Sequence, residues 1–549
     1  MACAPGPDAT RVDRSPSSAG AGQDDSRTLI IASRVEPKTL AGAGLNPTWV
    51  GISPDAGWQI FHGGLTRLDE KGAPHAQFAE ALPQLGTDTW KVFPDSRMET
   101  TWRLRPNLSW HDGTPLSAED FVLSFHFTRT ARPEHVQAID EVIALDARTL
   151  VLRYKNPAPD AGELIFQPLP RHIMAQPLEQ MDALEAFATL PYWTTEFVGA
   201  GPYRLERWEP GAFITGVAFD GYSLGKPKIG RVQLVWISDP NTAMANLLSE
   251  TIHFATDLSI TYEQASLLRR EWAGGGSRQP GGILLSTSKT VYTQIQFRPE
   301  YVRPPILQDV RLRQALAHSL DKQAVADAVL DGEPAVADTL VAKEEEYYAE
   351  LDRAMTKYPL DHRRTDQLLT ELGFTKDGEG FYGQGGNRLS VNLIPLGDYL
   401  REALVMADGW KRAGIDVPVR TLSAAEQVDQ EVASVYPALI ITQFQIASNP
   451  FPPFISANIP TAAVRWAGRN KGGYYDPEID RLSDVFLTSL ERADRNRAVM
   501  DGMRLLNDQA AYFPLYYGYD ATARTGNLNG PRGGRKITAL WNLEAWHWQ

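Results

Sequence analysis

Cysteine is almost absent from this sequence. One cysteine, Cys3, occurs among 549 residues. A single thiol cannot form an internal disulfide, and metal or redox sites built from several cysteines are excluded as well. The chain also lacks an apolar run of ~18–20 residues, the length that a helix needs to cross a bilayer. The sequence therefore predicts neither a disulfide framework nor a membrane-spanning helix.

Positive charge is in deficit. The chain has 54 Lys and Arg against 67 Asp and Glu, a formal net charge of −13. A nucleic-acid partner would require a basic face, so this balance argues against one and favours a self-repelling, monomeric protein. The composition, 43% hydrophobic and 22% charged, is typical of soluble globular proteins. A chain of this length is too long to fold around one ordinary hydrophobic core, so more than one lobe is expected.

Motifs that would hold a metal or a phosphate are also missing. None of the ten histidines forms the i, i+4 pair with a glutamate that binds zinc in protease helices. No segment fits the phosphate loop G-x-x-x-x-G-K-[ST], and the glycine-rich runs lack a strand–loop–helix setting. We therefore expect no metal and no cofactor.

One segment fits a catalytic pattern. Residues 221–225 read Gly-Tyr-Ser-Leu-Gly, the G-x-S-x-G pattern in which a serine nucleophile sits on a sharp turn between a strand and a helix. Pro227 and Gly230 follow directly and disfavour that helix. A serine hydrolase using Ser223 is thus the alternative from the enzyme class, and a surface loop is the simpler interpretation.

The first 27 residues have a distinctive composition. Cys3 follows a small residue, and residues 7–27 are rich in Ser, Gly, Ala, Asp and Pro with almost no large apolar side chain. Such a stretch buries too little surface to offset its ordering entropy and is expected to be a disordered tether. A cysteine ahead of a tether is the pattern of a processed bacterial lipoprotein; the alternative is an incidental cysteine near a terminus.

Short strand and helix signals alternate along the rest of the chain. Residues 28–32 predict a first strand. Ser117 and Asp309 each precede a helical pattern and are suited to cap it, the latter opening one helix with apolar residues from 310 to 329. A further helix is predicted over residues 242–250, after the strand that ends at Asp239. The fold class is therefore α/β, mixed α+β, in several lobes.

Several ordered motifs resemble one known family. The stretch 102–120 (WRLRPNLSWHDGTPLSAED) closely resembles the signature of the family 5 solute-binding proteins, the oligopeptide- and dipeptide-binding components of ABC importers. Other family-like blocks follow in order: FHGGL at 61–65, VGAGPY at 198–203, WEPG at 208–211, GKPK at 225–228, DPNTA at 239–243, DVRLRQAL at 309–316 and YDPEID at 475–480. The resemblance spans residues 61–480 and places Ser223 in a family loop.

The resemblance implies a two-lobed clamshell joined by a hinge, with an extra domain that makes the molecule pear-shaped. Motif order assigns lobe I to residues 28–60, 197–287 and 506–549. The extra domain takes 61–196 and lobe II takes 288–505, after a tether at 1–27. The implied protein is no enzyme and uses no cofactor.

The family also implies the partners and the location. The implied partners are a small-molecule ligand, which is a peptide or another solute, and an ABC permease in the membrane. The protein itself is implied to be a monomer outside the cytoplasm. The location is the periplasm or the outer face of the cytoplasmic membrane, with Cys3 as a lipid anchor. A binding protein that senses or chaperones its ligand, without transport, remains the alternative within the binding class.

One loop departs from the family pattern. Peptide binders of this family usually carry an aspartate, in a segment like Trp-x-Ala-Asp-Tyr-Pro-Asp-Pro, that pairs with the peptide's amine. The corresponding residues 443–454 contain no carboxylate, and a buried ammonium without a counter-charge is costly. A neutral ligand fits this loop better than a zwitterionic peptide.

Aromatic and amide side chains near turns are the candidate ligand contacts. Aromatic walls with a few placed polar groups describe a small-molecule cleft, although packing beneath long loops explains any single aromatic equally well. The predicted ligand-binding residues are Trp49, Phe61, Gln443, Phe444, Gln445, Asn449 and Trp466.

Overall fold

The structure is a computed structural model. It describes residues 27–42, 45, 56–180, 187–274, 280–330, 333, 335–533 and 540–549. Cys3, Trp49 and the predicted tether up to residue 26 lie outside the described residues.

Strands and helices alternate through the described chain. The strands are β1 Thr28–Ser33, β2 Thr66–Leu68, β3 Pro74–Ala76, β4 Trp90–Val92, β5 Met98–Arg103, β6 Ile139–Asp146, β7 Thr149–Tyr154, β8 Tyr203–Glu209, β9 Phe213–Ala218, β10 Arg231–Trp236, β11 Phe254–Ile260, β12 Gly282–Ile295, β13 Thr375–Lys376, β14 Tyr382–Gln384, β15 Asn387–Arg388, β16 Leu393–Pro395, β17 Leu439–Gln445, β18 Tyr512–Arg524, β19 Leu528–Asn529 and β20 His547–Trp548. The helices are α1 Ala56–Phe61, α2 Ala118–Ala131, α3 Arg171–Glu179, α4 Pro240–Leu248, α5 Tyr262–Ala273, α6 Val310–His318, α7 Lys322–Leu330, α8 Tyr348–Ala354, α9 His362–Glu371, α10 Leu400–Arg412, α11 Ala424–Val428, α12 Pro477–Thr488 and α13 Arg492–Asp508.

A nine-stranded mixed sheet runs through the molecule in the order β16-β17-β12-β18-β11-β1-β10-β9-β8. At one end β1 is parallel to β10 and β11, and at the other β16 is parallel to β17. We call the part built on β1 and β8–β11 lobe I, and the part built on β16 and β17 lobe II. The central strands β12 and β18 are antiparallel to each other and extend through both.

The pairing of β12 with β18 is interrupted where the two lobes meet. The register shifts between Thr287 and Lys289, and again between Val291 and Tyr292. Pro514 is the partner of Tyr292 at the second shift, a position where a residue without an N–H is tolerated in a sheet. Bulges bend and twist a strand locally, so this pair of long strands has the form of a hinge.

The helix predicted over residues 310–329 is in fact two helices, α6 and α7. Ser319 ends the first, and its hydroxyl donates to the carbonyl of Ala315 at 2.7 Å. Asp321 begins the second, with its carboxylate accepting from the amide of Ala324 at 2.9 Å. Residues of both helices face the same lobe II core, so the apolar period continues across the break. The sequence pattern alone therefore did not reveal that the helix is interrupted.

Residues 65–169, which we call the inserted unit, fall between β1 and β8 in the chain. Their four-stranded sheet has the order β4-β5-β7-β6. Helix α2 joins this unit to lobe I, because Phe121 and Phe125 pack in the core of the inserted unit and Phe127 packs in the core of lobe I. The sequence predicted the start of α2 correctly: the Asp120 carboxylate accepts from the amide of Ser117 at 2.8 Å.

No helix within the described ranges is both long and apolar enough to cross a membrane. The domain boundaries remain predictions. The predicted division at 287/288 falls at the first register shift of β12.

Candidate functional site

The parallel strands of lobe I are β1, β10 and β11, and those of lobe II are β16 and β17. The carboxyl ends of these two groups approach each other at the hinge. Strand β11 ends at Ile260 beside Ala521, and β17 ends at Gln445 beside Lys289. Lys289 in turn is the partner of Gly518, three residues from Ala521 along β18. Ligands of open α/β sheets bind outside the carboxyl ends of parallel strands, so the space around this junction is the candidate cleft.

Two of the predicted contacts present polar groups at the end of β17. Gln443 and Gln445 are exposed. The hydroxyl of Tyr399, at the start of α10, donates to the Gln443 side-chain oxygen at 2.7 Å. This hydrogen bond fixes the side-chain amide of Gln443 at the end of β17.

Phe444 lies on the opposite face of β17 from these amides. It is 3% exposed and packs in a lobe II core with Tyr292, Phe451 and Phe454. The aromatic residues of the loop 443–454 therefore hold the loop in place from inside. Asn449 is half-buried, and its side-chain oxygen accepts from the amide of Phe451 at 3.0 Å.

Phe61 and Trp466 lie away from these amides. Phe61 is 1% exposed within the lobe I core. Trp466 is half-buried, and its ring centroid lies 6.0 Å from the guanidinium carbon of Arg298. Gln443 pairs with Val291 within β12, whereas Arg298 lies beyond the end of that strand at Ile295. Gln443 and Gln445 thus lie on one face at the end of β17, Phe61 lies in the lobe I core, and Trp466 lies beside Arg298.

Sequence reasoning missed a cavity between lobe I and the inserted unit. It measures about 260 Å³ and is lined by Gly42, Leu45, Trp58, Ser124, Thr128, His135, Val136, Leu164, Ile165, Phe166 and Gln167. Gln167 holds the nearby chain, because its side-chain oxygen accepts from the amide of Gly42 at 3.0 Å. These two residues are 125 positions apart, and no local sequence signal connects them.

Two buried histidines form hydrogen bonds to main-chain carbonyls without carrying charge. His62 donates from Nε2 to the carbonyl of Pro168 at 3.0 Å, and burial lowers its pKa to about 3. His111 donates from Nε2 to the carbonyl of Gly201 at 3.1 Å, and burial lowers its pKa to about 4. Both rings are therefore neutral at pH 7 and act as fixed hydrogen-bonding braces.

Ser223 does not stand on a nucleophile elbow. The residues after it form turns up to β10, and Gly225 has a φ of +101°. No helix begins directly after this serine, so the strained strand-to-helix turn that would expose its hydroxyl is not formed. In the described residues no group of three His, Cys, Asp or Glu side chains is arranged to hold a metal.

Comparison with known proteins agrees with this architecture. Residues 80–462 match the model of the bacterial extracellular solute-binding proteins, family 5 Middle. The oligopeptide-binding protein AppA of Bacillus subtilis is 22% identical over 506 residues, covering 88% of this chain and 85% of AppA.

Two solved structures show the same fold. The oligopeptide-binding protein from Thermus thermophilus, complexed with a pentapeptide, gives a TM-score of 0.69 at 21% identity, covering 96% of this chain and 97% of that one. NikZ from Campylobacter jejuni, in complex with Ni(L-His), gives 0.68 at 21% identity, covering 95% and 99%. The chain belongs to the family 5 bacterial extracellular solute-binding proteins, whose members are binding proteins of two-lobed fold.

Proposed function

We propose that this protein captures a small solute between its lobes and delivers it to an ABC permease. The observation that carries the proposal is the hinge: β12 and β18 connect the lobes, and both parallel strand groups end beside it. A ligand that touches both lobes only in the closed form shifts the population toward closure. The closed form then presents one surface, made of both lobes, to the permease.

We further propose that the ligand is not held through an N-terminal ammonium group. The loop 443–454 contributes amides and aromatic rings but no carboxylate, and a desolvated ammonium needs a counter-charge. The amides of Gln443 and Gln445 can hydrogen-bond a neutral group instead. Among the relatives, family members with the same fold are complexed with a pentapeptide in one case and Ni(L-His) in another, so the fold alone does not dictate the ligand.

A thermal-shift screen tests both statements. The panel contains short peptides, their N-acetylated and C-amidated counterparts, oligosaccharides and metal chelates. A cleft ligand stabilises the folded state by mass action, by about 2.7 kcal/mol at a concentration of 100 Kd. Blocked peptides are expected to stabilise at least as well as free ones. A strong preference for the free ammonium form would contradict the proposed neutral recognition.

Membrane attachment through Cys3 is proposed on the composition of residues 1–27. Expression of the complete gene in its own host, with and without Cys3→Ser, tests it. The unchanged protein should fractionate with membranes and the variant should be released.

We also propose that the protein is a monomer with no nucleic-acid partner, in keeping with the net charge of −13. Sedimentation analysis, with and without added nucleic acid, checks both statements.

A hydrolytic role for Ser223 is the competing proposal from the enzyme class. A Ser223→Ala variant should behave like the unchanged protein in an assay with p-nitrophenyl esters, because the serine lies among turns. An esterase activity that this substitution abolishes would support the competing proposal.

A further inference from the structure

Two large apolar side chains of lobe I are exposed beyond the paired part of neighbouring parallel strands. Val35 is 47% exposed and Leu258 is 39% exposed. Strands β1 and β11 pair in parallel, and the last pair of their register joins Ala32 with Ala255. Val35 and Leu258 each lie three residues farther along the chain from that pair. Both therefore belong to the carboxyl-end edge of lobe I, where the candidate cleft lies.

Leu258 has a backbone conformation that leucine disfavours. Its φ is +69°, in the left-handed region that a bulky side chain rarely adopts. The residue lies in an irregularity of β11, where the register with β18 shifts between Ala255 and Ile260. Bulges re-aim side chains next to functional sites, and strained residues cluster at ligand clamps. An exposed side chain gains nothing for the core, so this strain indicates a contact with another molecule.

Buried hydroxyl groups hold both apolar residues in place. The hydroxyls of Thr256 and Ser259, on either side of the strained leucine, both donate to the carbonyl of Ala32, at 2.9 and 3.1 Å. Thr256 is 2% exposed and Ser259 is fully buried. On β1 the hydroxyl of Ser33 donates to the carbonyl of Val35 at 3.1 Å. Strain persists only where surrounding contacts impose it, and these hydrogen bonds supply such contacts.

We propose that Val35 and Leu258 are the lobe I contact for an aliphatic chain of the captured solute, whose uncharged polar end hydrogen-bonds to Gln443 and Gln445 of lobe II. The solute is then a neutral amphiphile that lies across the cleft. This inference rests on the proposed solute-binding function and specifies the chemistry of its ligand. It also supplies the contact on lobe I that closure around a ligand requires.

A series of straight-chain primary amides tests this chemistry. Butanamide, hexanamide and octanamide are titrated against the full chain, with binding measured by ligand-observed NMR. One fully buried methylene tightens binding by about fourfold, which corresponds to ~0.8 kcal/mol. Octanamide should therefore bind at least tenfold more tightly than butanamide. An affinity that does not rise with chain length, or a lack of octanamide binding, would overturn the proposal.

The variant Leu258→Asn removes the apolar group and suits the left-handed backbone, which asparagine adopts more readily than leucine. Octanamide should bind at least fivefold more weakly, while the melting temperature should rise because strain is relieved. Leu248→Asn is the matched control, since Leu248 is also 39% exposed and ends α4, ahead of the amino end of β11. It should leave octanamide binding unchanged. A lower melting temperature in Leu258→Asn would indicate a packing role and contradict the assignment.

A second variant, Val35→Thr, replaces a methyl group with a hydroxyl at nearly constant volume. It should weaken octanamide binding by about threefold or more. Unchanged octanamide affinity in both variants would place the chain elsewhere and overturn the proposal. A larger radius of gyration of both variants without ligand would show that the two side chains pack against lobe II directly, which also overturns it. A solute that closes the lobes in small-angle scattering, with equal affinity for both variants and the unchanged protein, would reject this contact and leave the proposed function standing.

Discussion

Arg495 of α13 donates from Nη1 to the carboxylate of Asp160 at 2.9 Å, across 335 residues of sequence. Asp160 belongs to the inserted unit, and Arg495 to lobe II. Leu490 lies close by and packs against the core of the inserted unit. A groove of about 640 Å³ separates the two parts beside this contact, lined from both sides. The inserted unit thus touches lobe II at a point away from the hinge strands.

Reversing the charge of either residue should weaken this contact. Asp160 is 67% exposed and Arg495 is 15% exposed, so the pair stabilises this contact by about 0.2–1 kcal/mol. Asp160→Arg and Arg495→Asp should each increase the radius of gyration in small-angle scattering at low salt, because like charges then face each other. The double reversal should restore the original value.

The control is the pair Arg388–Asp377, which lies within lobe II at 2.8 Å. The same reversals there should leave the radius unchanged. A radius that is insensitive to both single reversals at low salt would contradict a role of the Asp160–Arg495 contact in closure.

The buried histidines predict how stability depends on pH. Their folded pKa values, about 3 for His62 and about 4 for His111, lie below the unfolded value of ~6.5. The unfolded chain therefore binds more protons between these limits, and stability is present above pH 6.5 and is lost as the pH falls toward 4. Below pH 6, each ring should make the free energy of unfolding fall by up to about 1.4 kcal/mol per pH unit as the pH is lowered.

Urea unfolding at intervals from pH 7.5 to 4.5 measures this slope. His62→Gln keeps a donor for the carbonyl of Pro168 and removes one titrating ring, so its slope should be smaller by about 1.4 kcal/mol per pH unit. An unchanged slope in this variant would mean that the ring is charged in the folded protein, contrary to its burial.

A buried acid–phenol pair ties α10 to the hinge strand β18. Glu402 is 3% exposed, and the hydroxyl of Tyr516 donates to its Oε1 at 2.6 Å. Tyr516→Phe removes that donor and should lower the free energy of unfolding by about 1–3 kcal/mol. In a double-mutant cycle with Glu402→Gln the two losses should not be additive. If the two losses of unfolding free energy are additive, the Tyr516–Glu402 hydrogen bond contributes nothing to stability, contrary to this prediction.

Local signals in the sequence predicted individual elements well. Ser117 and Asp309 each precede a helix as expected, and the Asp309 carboxylate accepts from the amide of Arg311. The helix predicted over residues 242–250 begins at Pro240, where the Asp239 carboxylate accepts from the amide of Thr242. Capping depends on residues within three positions of each other, so one sequence suffices to find it. The family motifs then supplied the two-lobed fold.

Contacts between distant segments could not be predicted in this way. The Thr293 hydroxyl on β12 accepts from the amide of Phe513 on β18, 220 residues away, and no local pattern indicates that these strands are neighbours. The same limit hid the Gly42–Gln167 contact. Composition identified Phe444 as an aromatic residue near a turn, but only the β17 pairing reveals that its ring points into the core while Gln443 and Gln445 face out.

Ligand-driven closure at the β12–β18 hinge is tested most directly by small-angle scattering. The full chain is measured with and without the solute that gives the largest thermal shift, at a concentration of about 100 Kd. The radius of gyration should decrease on binding, because the ligand contacts both lobes only when they are closed. A solute that binds tightly and leaves the radius of gyration unchanged would contradict capture by closure.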